Sequence, residues 1–328
     1  VAAEKQKKRK AMGSGHLIDP ELVEGLSLLP TLDFSGVDIV QVRALLAMGW
    51  GTVPEVEVPG VESSWLTVPG PAGAPDVRVA VHRPVAAAGP LPAILHIHGG
   101  GYVIGEPGIA DIANRMLVAE LGCAIYSVDY RLAPETAHPG PVEDCFAALS
   151  YVAANAAALG VDARRIGVMG ESAGGGLAAA LALLARDRGG PKLAFQHLIY
   201  PMLDDRTCTA EDPHPFTGEF VWTAVQNRYG WGALLGQAPG GAGISPYAAA
   251  GRAEDLSGLP PSFIAVGALD LFLEEDLDYA RRLTRAGVPV ELHVYPGAYH
   301  GFHFAGDAAV TRAANRDSLE ALRRGLAG

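Results

Sequence analysis

Short runs of consecutive apolar residues alternate along most of this chain with longer segments whose apolar positions recur on one face. Pro92 to Ile97, Ala124 to Val128, Arg165 to Met169, Phe195 to Tyr200, Pro261 to Val266 and Val288 to Tyr295 read as buried strands. Between and after them, Asp111 to Leu121, Val142 to Ala158, Leu177 to Leu184, Leu271 to Ala286 and Ala308 to Gly325 read as helices. Buried strands separated by helices predict a mostly parallel sheet covered on both faces. Val56 to Pro59, Trp65 to Val68 and Val77 to Arg83 add short strand-like segments between Pro and Gly turns.

Two stretches break this rhythm. Near the N-terminus, Asp19-Pro20-Glu21 has the form of a helix cap ahead of Leu22 to Leu28, and Val37 to Met48 places Val40, Ala44, Leu45 and Met48 on one helical face. Pro201 to Leu256 lacks strand alternation but carries Phe216, Phe220, Trp222, Tyr229 and Trp231, large side chains that need somewhere to pack. The expected division is therefore a tail with cap helices over residues 1–53, core over 54–200, a cap or lid insertion over 201–256, and core again over 257–328.

The 328 residues suffice for a large core, and an apolar fraction of 49% argues against wholesale disorder. A formal charge of -11 favours solubility and discourages nucleic-acid binding. The basic stretch Lys5 to Lys10 reads as a solvated or expression-derived end rather than an anion-binding arm. Cys123, Cys145 and Cys208 are too few and too dispersed for a disulfide framework or zinc cluster; Cys208 is the expected reactive thiol. No signal-peptide pattern or membrane-spanning apolar run is found, so a cytoplasmic location without stable membrane insertion is expected.

The chemistry concentrates where strands end, which is where open parallel sheets bind ligands. Gly170-Glu171-Ser172-Ala173-Gly174 has G-x-S-x-G spacing, which lifts a serine hydroxyl out of a tight strand-to-helix turn while the glycines let the two elements approach. Asp270 and His300 close two later strands, in the order Ser, Asp, His described for α/β-hydrolases. In these positions His300 takes the Ser172 proton and Asp270 fixes its tautomer. His98-Gly99-Gly100-Gly101 ends the Pro92 strand, and the expected oxyanion donors are the N-H groups of Gly100, Gly101 and Ala173. His98 is expected to brace this loop. Tyr102, Val103, Phe216, Phe220 and Trp222 are candidates for an apolar substrate pocket, the last three also for simple cap core. Asp129, Arg131 and Glu135 suggest a charged network under the loop. The histidines lack metal-ligand spacing and no phosphate-loop or dinucleotide fingerprint occurs, so neither metal nor cofactor is expected.

Taken together, His98 to Tyr102, Asp129 to Glu135, Gly170 to Gly175, Leu259-Pro260-Pro261, Asp270 with Glu274-Glu275, and His300-Gly301-Phe302 resemble the hormone-sensitive-lipase-like, or bacterial family IV, esterases of the α/β-hydrolase superfamily. The resemblance runs from about residue 54 to the C-terminus. It implies a sheet of about eight strands, a helical cap over the acyl pocket built from the N-terminal helices and the 201–256 insertion, hydrolysis of short-chain carboxylic esters with water, and a homodimer through the last strand or helix. Two positions depart from the family pattern: Glu171 stands where aspartate is usual, and Leu271 follows Asp270 where proline is common. An amide- or lactam-cleaving hydrolase with the same triad, and a noncatalytic binding protein on the same scaffold, are the alternatives.

Overall fold

Eight strands, β1 (Val61–Val68), β2 (Val77–Pro84), β3 (Leu91–Ile97), β4 (Ala124–Asp129), β5 (Val161–Glu171), β6 (Gln196–Ile199), β7 (Ser262–Gly267) and β8 (Val290–Tyr295), pair into one sheet. Their order is β1-β2-β4-β3-β5-β6-β7-β8 in a computed structural model describing residues 13–27, 29, 34, 36, 38–50 and 56–327. The β1/β2 and β2/β4 pairs are antiparallel and every later pair is parallel. The interior parallel strands are continuous apolar runs of the sequence, and β7, for instance, is buried at every position. Strand β8, expected as a buried strand, is instead only partly buried, with Leu292 and Val294 exposed, because it lies at one edge of the sheet. The first strand lies at the other edge, where Trp65 is exposed and the Arg78 guanidinium sits 4.2 Å over its ring.

Helices α1 (Val23–Leu26) and α2 (Ile39–Trp50) precede the sheet. They are followed by α3 (Asp111–Leu121), α4 (Gly140–Ala154), α5 (Ala156–Leu159), α6 (Ala173–Asp187), α7 (Ala224–Leu235), α8 (Leu273–Arg285) and α9 (Ala309–Ala327). The core runs along the α6 face, where Leu177, Leu181 and Leu184 are buried against the sheet with the alanines between them. Helix α6 is apolar all round because it lies in the interior.

Several boundaries differ from the sequence pattern. The Val142 to Ala158 helix is divided at Asn155, whose side-chain amide donates to the Tyr151 carbonyl at 2.8 Å and competes for the helical ladder. Strand β5 starts at Val161 rather than Arg165, because Asp162 binds both Arg164 and Arg165 across a register irregularity opposite β3. Val56 to Pro59 forms no strand, and Leu22 enters through a 3-10 turn, Pro20–Leu22, before the short α1. Leu28, Val37, the Lys5 to Lys10 stretch and the 53/54 boundary lie outside the described residues. Cys208 is buried, and burial pushes its thiol up to about 11, so it is not the reactive thiol its loop setting suggested.

The N-terminal segment and the insertion meet. The Ser14 N-H and hydroxyl donate to Glu219 at 2.5 and 2.7 Å, and Phe34 stacks on Tyr229 at 5.1 Å. Helix α7 is fixed at its start by a reciprocal capping box between Thr223 and Gln226. Among the described residues, no helix is long and apolar enough to cross a membrane.

Candidate active site

Strand β5 is buried from Ile166 to Gly170, and α6 begins at Ala173, so the chain must reverse within two residues. Ser172 absorbs the turn with φ 55 and ψ -121, a conformation an L-residue holds only when its surroundings impose it. They do so through the backbone: the Ser172 N-H donates to Ile199 at 2.9 Å, and its carbonyl accepts from Met202 at 2.9 Å and Gly176 at 3.0 Å. Gly174 is required by close approach, since a Cβ there would overlap the carbonyls of Ile97 and His98.

His300 lies in the turn after β8 and Asp270 in the turn after β7, both buried. The His300 Nε2 is 3.0 Å from Ser172 Oγ, and its Nδ1 is 2.8 Å from Asp270 Oδ2. The other Asp270 oxygen accepts the Phe272 N-H at 3.0 Å. A carboxylate can only accept, so Nδ1 carries the imidazole proton and Nε2 presents its lone pair to the serine hydroxyl. Phe272 meets the imidazole edge-on at 5.2 Å and Tyr200 lies 4.6 Å away, so the base is walled by aromatic rings.

The glycine loop stands beside this turn. Gly100 and Gly101 have φ values of 122 and 59, open to glycine, and the Gly100 carbonyl accepts from Val103 and Ile104, both at 3.0 Å. The Ala173 N-H is the first of α6 and so lies outside the helical ladder. His98 braces the loop from below: Nδ1-H donates to the Gly99 carbonyl at 2.8 Å, and the ring stacks on Tyr130 at 4.3 Å. Burial drops its pKa to about 4, which keeps it neutral.

Glu171 reaches behind the elbow. Its Oε2 accepts from His96 Nε2 at 3.1 Å, while His96 Nδ1 meets the Ser127 hydroxyl at 2.7 Å and the Asn114 amide at 3.1 Å. The amide can only donate there, so His96 is the Nε2-H tautomer and hands its proton to Glu171. The longer acid thus spans from the nucleophile turn to β3.

The pocket candidates separate. Trp222 stands 6.2 Å from the His300 ring and 6.1 Å from Phe34, over the spot where a Gly101 Cβ would be, with its indole N-H on Asn227 at 3.1 Å. Phe216 instead packs edge-on against His16 at 6.4 Å, and Phe220 lies 6.2 Å from Tyr299 against the cluster around β8. Tyr102 is fully buried against Trp231, its hydroxyl donating to Met202 at 3.0 Å; Val103 is fully buried as well. His303 lies 5.5 Å from Tyr200, the ring that also flanks His300.

The expected network of Asp129, Arg131 and Glu135 does not close on itself. Arg131 forks onto the fully buried Asp144 at 2.7 and 2.8 Å, Glu135 pairs with Arg43 at 2.8 Å, and Asp129 is 4.0 Å from Arg78. Only Asp129 is in a strand; Arg131 and Glu135 lie in the coil and turn after β4, and each of the three takes its partner from a different element.

Sequence reasoning also missed a buried acid pair in α8. Glu275 accepts the Leu203 N-H at 2.6 Å and the Thr207 hydroxyl, holding the loop that feeds Met202 to Ser172. Its neighbour Asp276 is fully buried and has no side-chain hydrogen bond among the described residues. Burial first, then the carboxyls of Glu275 and Asp270, push it well above the usual carboxylate range. Three consecutive acids in the first turn of α8, Glu274, Glu275 and Asp276, were visible; which of them faced inward was not. Among the described residues, no group of three or more His, Cys, Asp or Glu side chains is arranged to hold a metal ion.

Comparison with known proteins agrees with this geometry. A family model described as alpha/beta hydrolase fold matches residues 94–304. Carboxylesterase NlhH of Mycobacterium tuberculosis is 38% identical over 316 residues, spanning 94% of this chain and 96% of that protein. Esterase LipI of the same organism is 36% identical over 320 residues, spanning 95% and 96%. Among solved structures, a bacterial heroin esterase superposes with a TM-score of 0.89 at 42% identity, covering 95% of this chain and 98% of that one. With Ser172, His300 and Asp270 in hydrogen-bonded sequence on this sheet, the chain belongs to the α/β-hydrolase-fold family, as a serine carboxylesterase related to the bacterial hormone-sensitive-lipase-like (family IV) esterases.

Proposed function

We propose that this carboxylesterase acts on short-chain acyl esters, with Ser172 as nucleophile, His300 as the base that becomes the acid, and Asp270 as its orienting partner. The observation that carries the reading is the His300 ring, bonded to Ser172 Oγ at 3.0 Å and to Asp270 at 2.8 Å. Ser172 Oγ attacks the ester carbonyl as its proton passes to His300 Nε2. The carbonyl oxygen becomes an oxyanion received by the N-H groups of Gly100, Gly101 and Ala173, each worth about 3 kcal/mol in comparable sites. Collapse expels the alcohol, which takes the His300 proton and leaves an acyl-serine. Water, deprotonated by His300, then attacks that ester; the second collapse returns the proton to Ser172 and releases the acid.

The cap in this reading is formed by the N-terminal segment and residues 201–256. Trp222, buried over Gly101 and near His300, limits the acyl side and so favours short chains, while the fully buried Tyr102 and Val103 back the glycine loop from behind and Phe216 and Phe220 hold the cap together. A cytoplasmic location and a homodimer through the sheet edge at β8 complete the proposal. A series of p-nitrophenyl esters from acetate to decanoate, with Ser172→Ala as blank, tests it: kcat/KM is expected to peak at or below butyrate and fall at least about tenfold by decanoate. A profile rising to decanoate would reject the short-chain assignment.

A further inference from the structure

Arg43 projects from α2 into the back of the glycine loop. Its Nε donates to the Val103 carbonyl at 2.7 Å and its Nη2 to the Ala133 carbonyl at 2.7 Å. The same guanidinium grips both Glu135 oxygens, at 2.8 and 2.9 Å. Among the described residues, every hydrogen bond between the α2 side chains and the core runs through this one group. Its three contacts converge on one structure. The Ala133 N-H donates to the Tyr102 carbonyl at 2.9 Å, and the Gly100 carbonyl accepts from Val103 and Ile104, so residues 100–104 and 133 form a closed turn whose outward carbonyl at 103 is Arg43's. A planar fork fits that set of acceptors; a point charge such as lysine does not.

His98 at the Gly99 carbonyl and the buried Tyr102, bonded to Met202, anchor the two ends of the turn, but neither holds the Val103 carbonyl that Arg43 binds. Gly100 and Gly101 have backbone conformations that side-chain packing cannot fix, and their N-H directions follow the dihedrals of the loop. We propose that Arg43 is a positioning residue for ester hydrolysis: by holding the Val103 and Ala133 carbonyls together from the cap side, it aims the Gly100 and Gly101 N-H groups at the oxyanion and makes cap seating and oxyanion-hole geometry one coupled unit. The proposal rests on the reading that those two N-H groups receive the oxyanion. Arg43 touches no reacting atom, so its loss lowers transition-state stabilisation and leaves ground-state binding nearly intact.

The test compares wild type with Arg43→Met and Arg43→Lys in three measurements: steady-state kinetics, inhibition by a tetrahedral boronic acid, and stoichiometric labelling of Ser172 by an organophosphonate. For Arg43→Met the expected result is a kcat lowered by about 10- to 100-fold, a KM within about two-fold of wild type, and a boronate Ki raised in proportion to the kcat loss, with Ser172 still fully labelled. Arg43→Lys is expected to stay impaired. A folded Arg43→Met with wild-type kcat, or a kcat loss with unchanged boronate affinity, overturns the proposal, as does full recovery by lysine. Failure of wild type itself to take the label at Ser172 would instead remove the reading beneath it. If Arg43→Met does not fold, Glu135→Ala at its half-exposed position is read by the same boronate assay: about a three-fold weaker Ki is expected, and wild-type affinity overturns the proposal.

Discussion

At the elbow, Ser172 is held by a backbone hydrogen bond to the Ile199 carbonyl and by those it accepts from Met202 and Gly176, and every residue that shapes the turn lies within a few positions of it or at the end of a neighbouring strand. On the cap side, Trp222 and Arg43 reach the same site through their side chains, from segments that join the core only by folding back over it. The first kind of placement is rigid because main-chain geometry and sheet register leave no alternative. The second depends on a few side-chain contacts. The elbow therefore fixes the reacting serine, and in the function and the positioning role proposed above these side-chain contacts set substrate fit and the aim of the glycine loop.

Substitutions can break this comparison or sharpen it. The largest effect is expected for His300→Ala, which should lower kcat by about 10⁶ while thermal unfolding and circular dichroism stay near wild type. A residual activity within about tenfold of wild type would mean that the proton is carried elsewhere, with His303, across the Tyr200 ring, the first place to look. Next is Gly101→Ala, where a new Cβ would overlap the Trp222 ring. A fall of about 100-fold in kcat is expected, and Trp222→Ala in the same chain should restore at least about tenfold of it, since the two residues are in contact and their effects are not additive. No restoration would show that the loop backbone alone, not the cap, limits that position.

The smallest effect concerns stability rather than turnover. Asp276 keeps its proton in the fold far above the ordinary aspartate value of 3.8, whereas the unfolded chain releases it there. Rising pH above 3.8 therefore favours the unfolded chain, and the penalty vanishes below that value. Asp276→Asn should raise Tm by about 2 °C or more at pH 7 and leave it unchanged below pH 3.8. An equal gain at both pH values would mean that packing, not ionisation, is responsible.

The same contrast explains what could be read before folding. The interior parallel strands were visible because burial on both faces leaves an apolar run, whereas the edge strand β8 is only partly buried; Ser172, Asp270 and His300 were visible because each follows the end of a strand. Gly99, Gly170 and Gly174 betrayed the close approach of β3, β5 and α6. Side-chain pairing left no such trace. Asp129, Arg131 and Glu135 are near in sequence but bind Arg78, Asp144 and Arg43, because spatial neighbours of a charged side chain are set by tertiary packing. Cys208 looked free in a loop, yet the insertion folds over it. The short α1 and the break at Asn155 were hidden for a related reason: local hydrogen bonding and backbone crowding at Gly25, against Ala305, outweighed helical periodicity.

The central claim, that Ser172 is activated by His300 and Asp270 on a strained turn, is tested most directly by active-site titration. One equivalent of an organophosphonate should inactivate the protein with release of one equivalent of leaving group, and peptide mass mapping should place the adduct on Ser172 alone. Asp270→Asn should slow that labelling by about 10⁴ without changing its stoichiometry or site. Turnover of esters by a protein that takes no label at Ser172, or labelling that is indifferent to Asp270, would contradict the account.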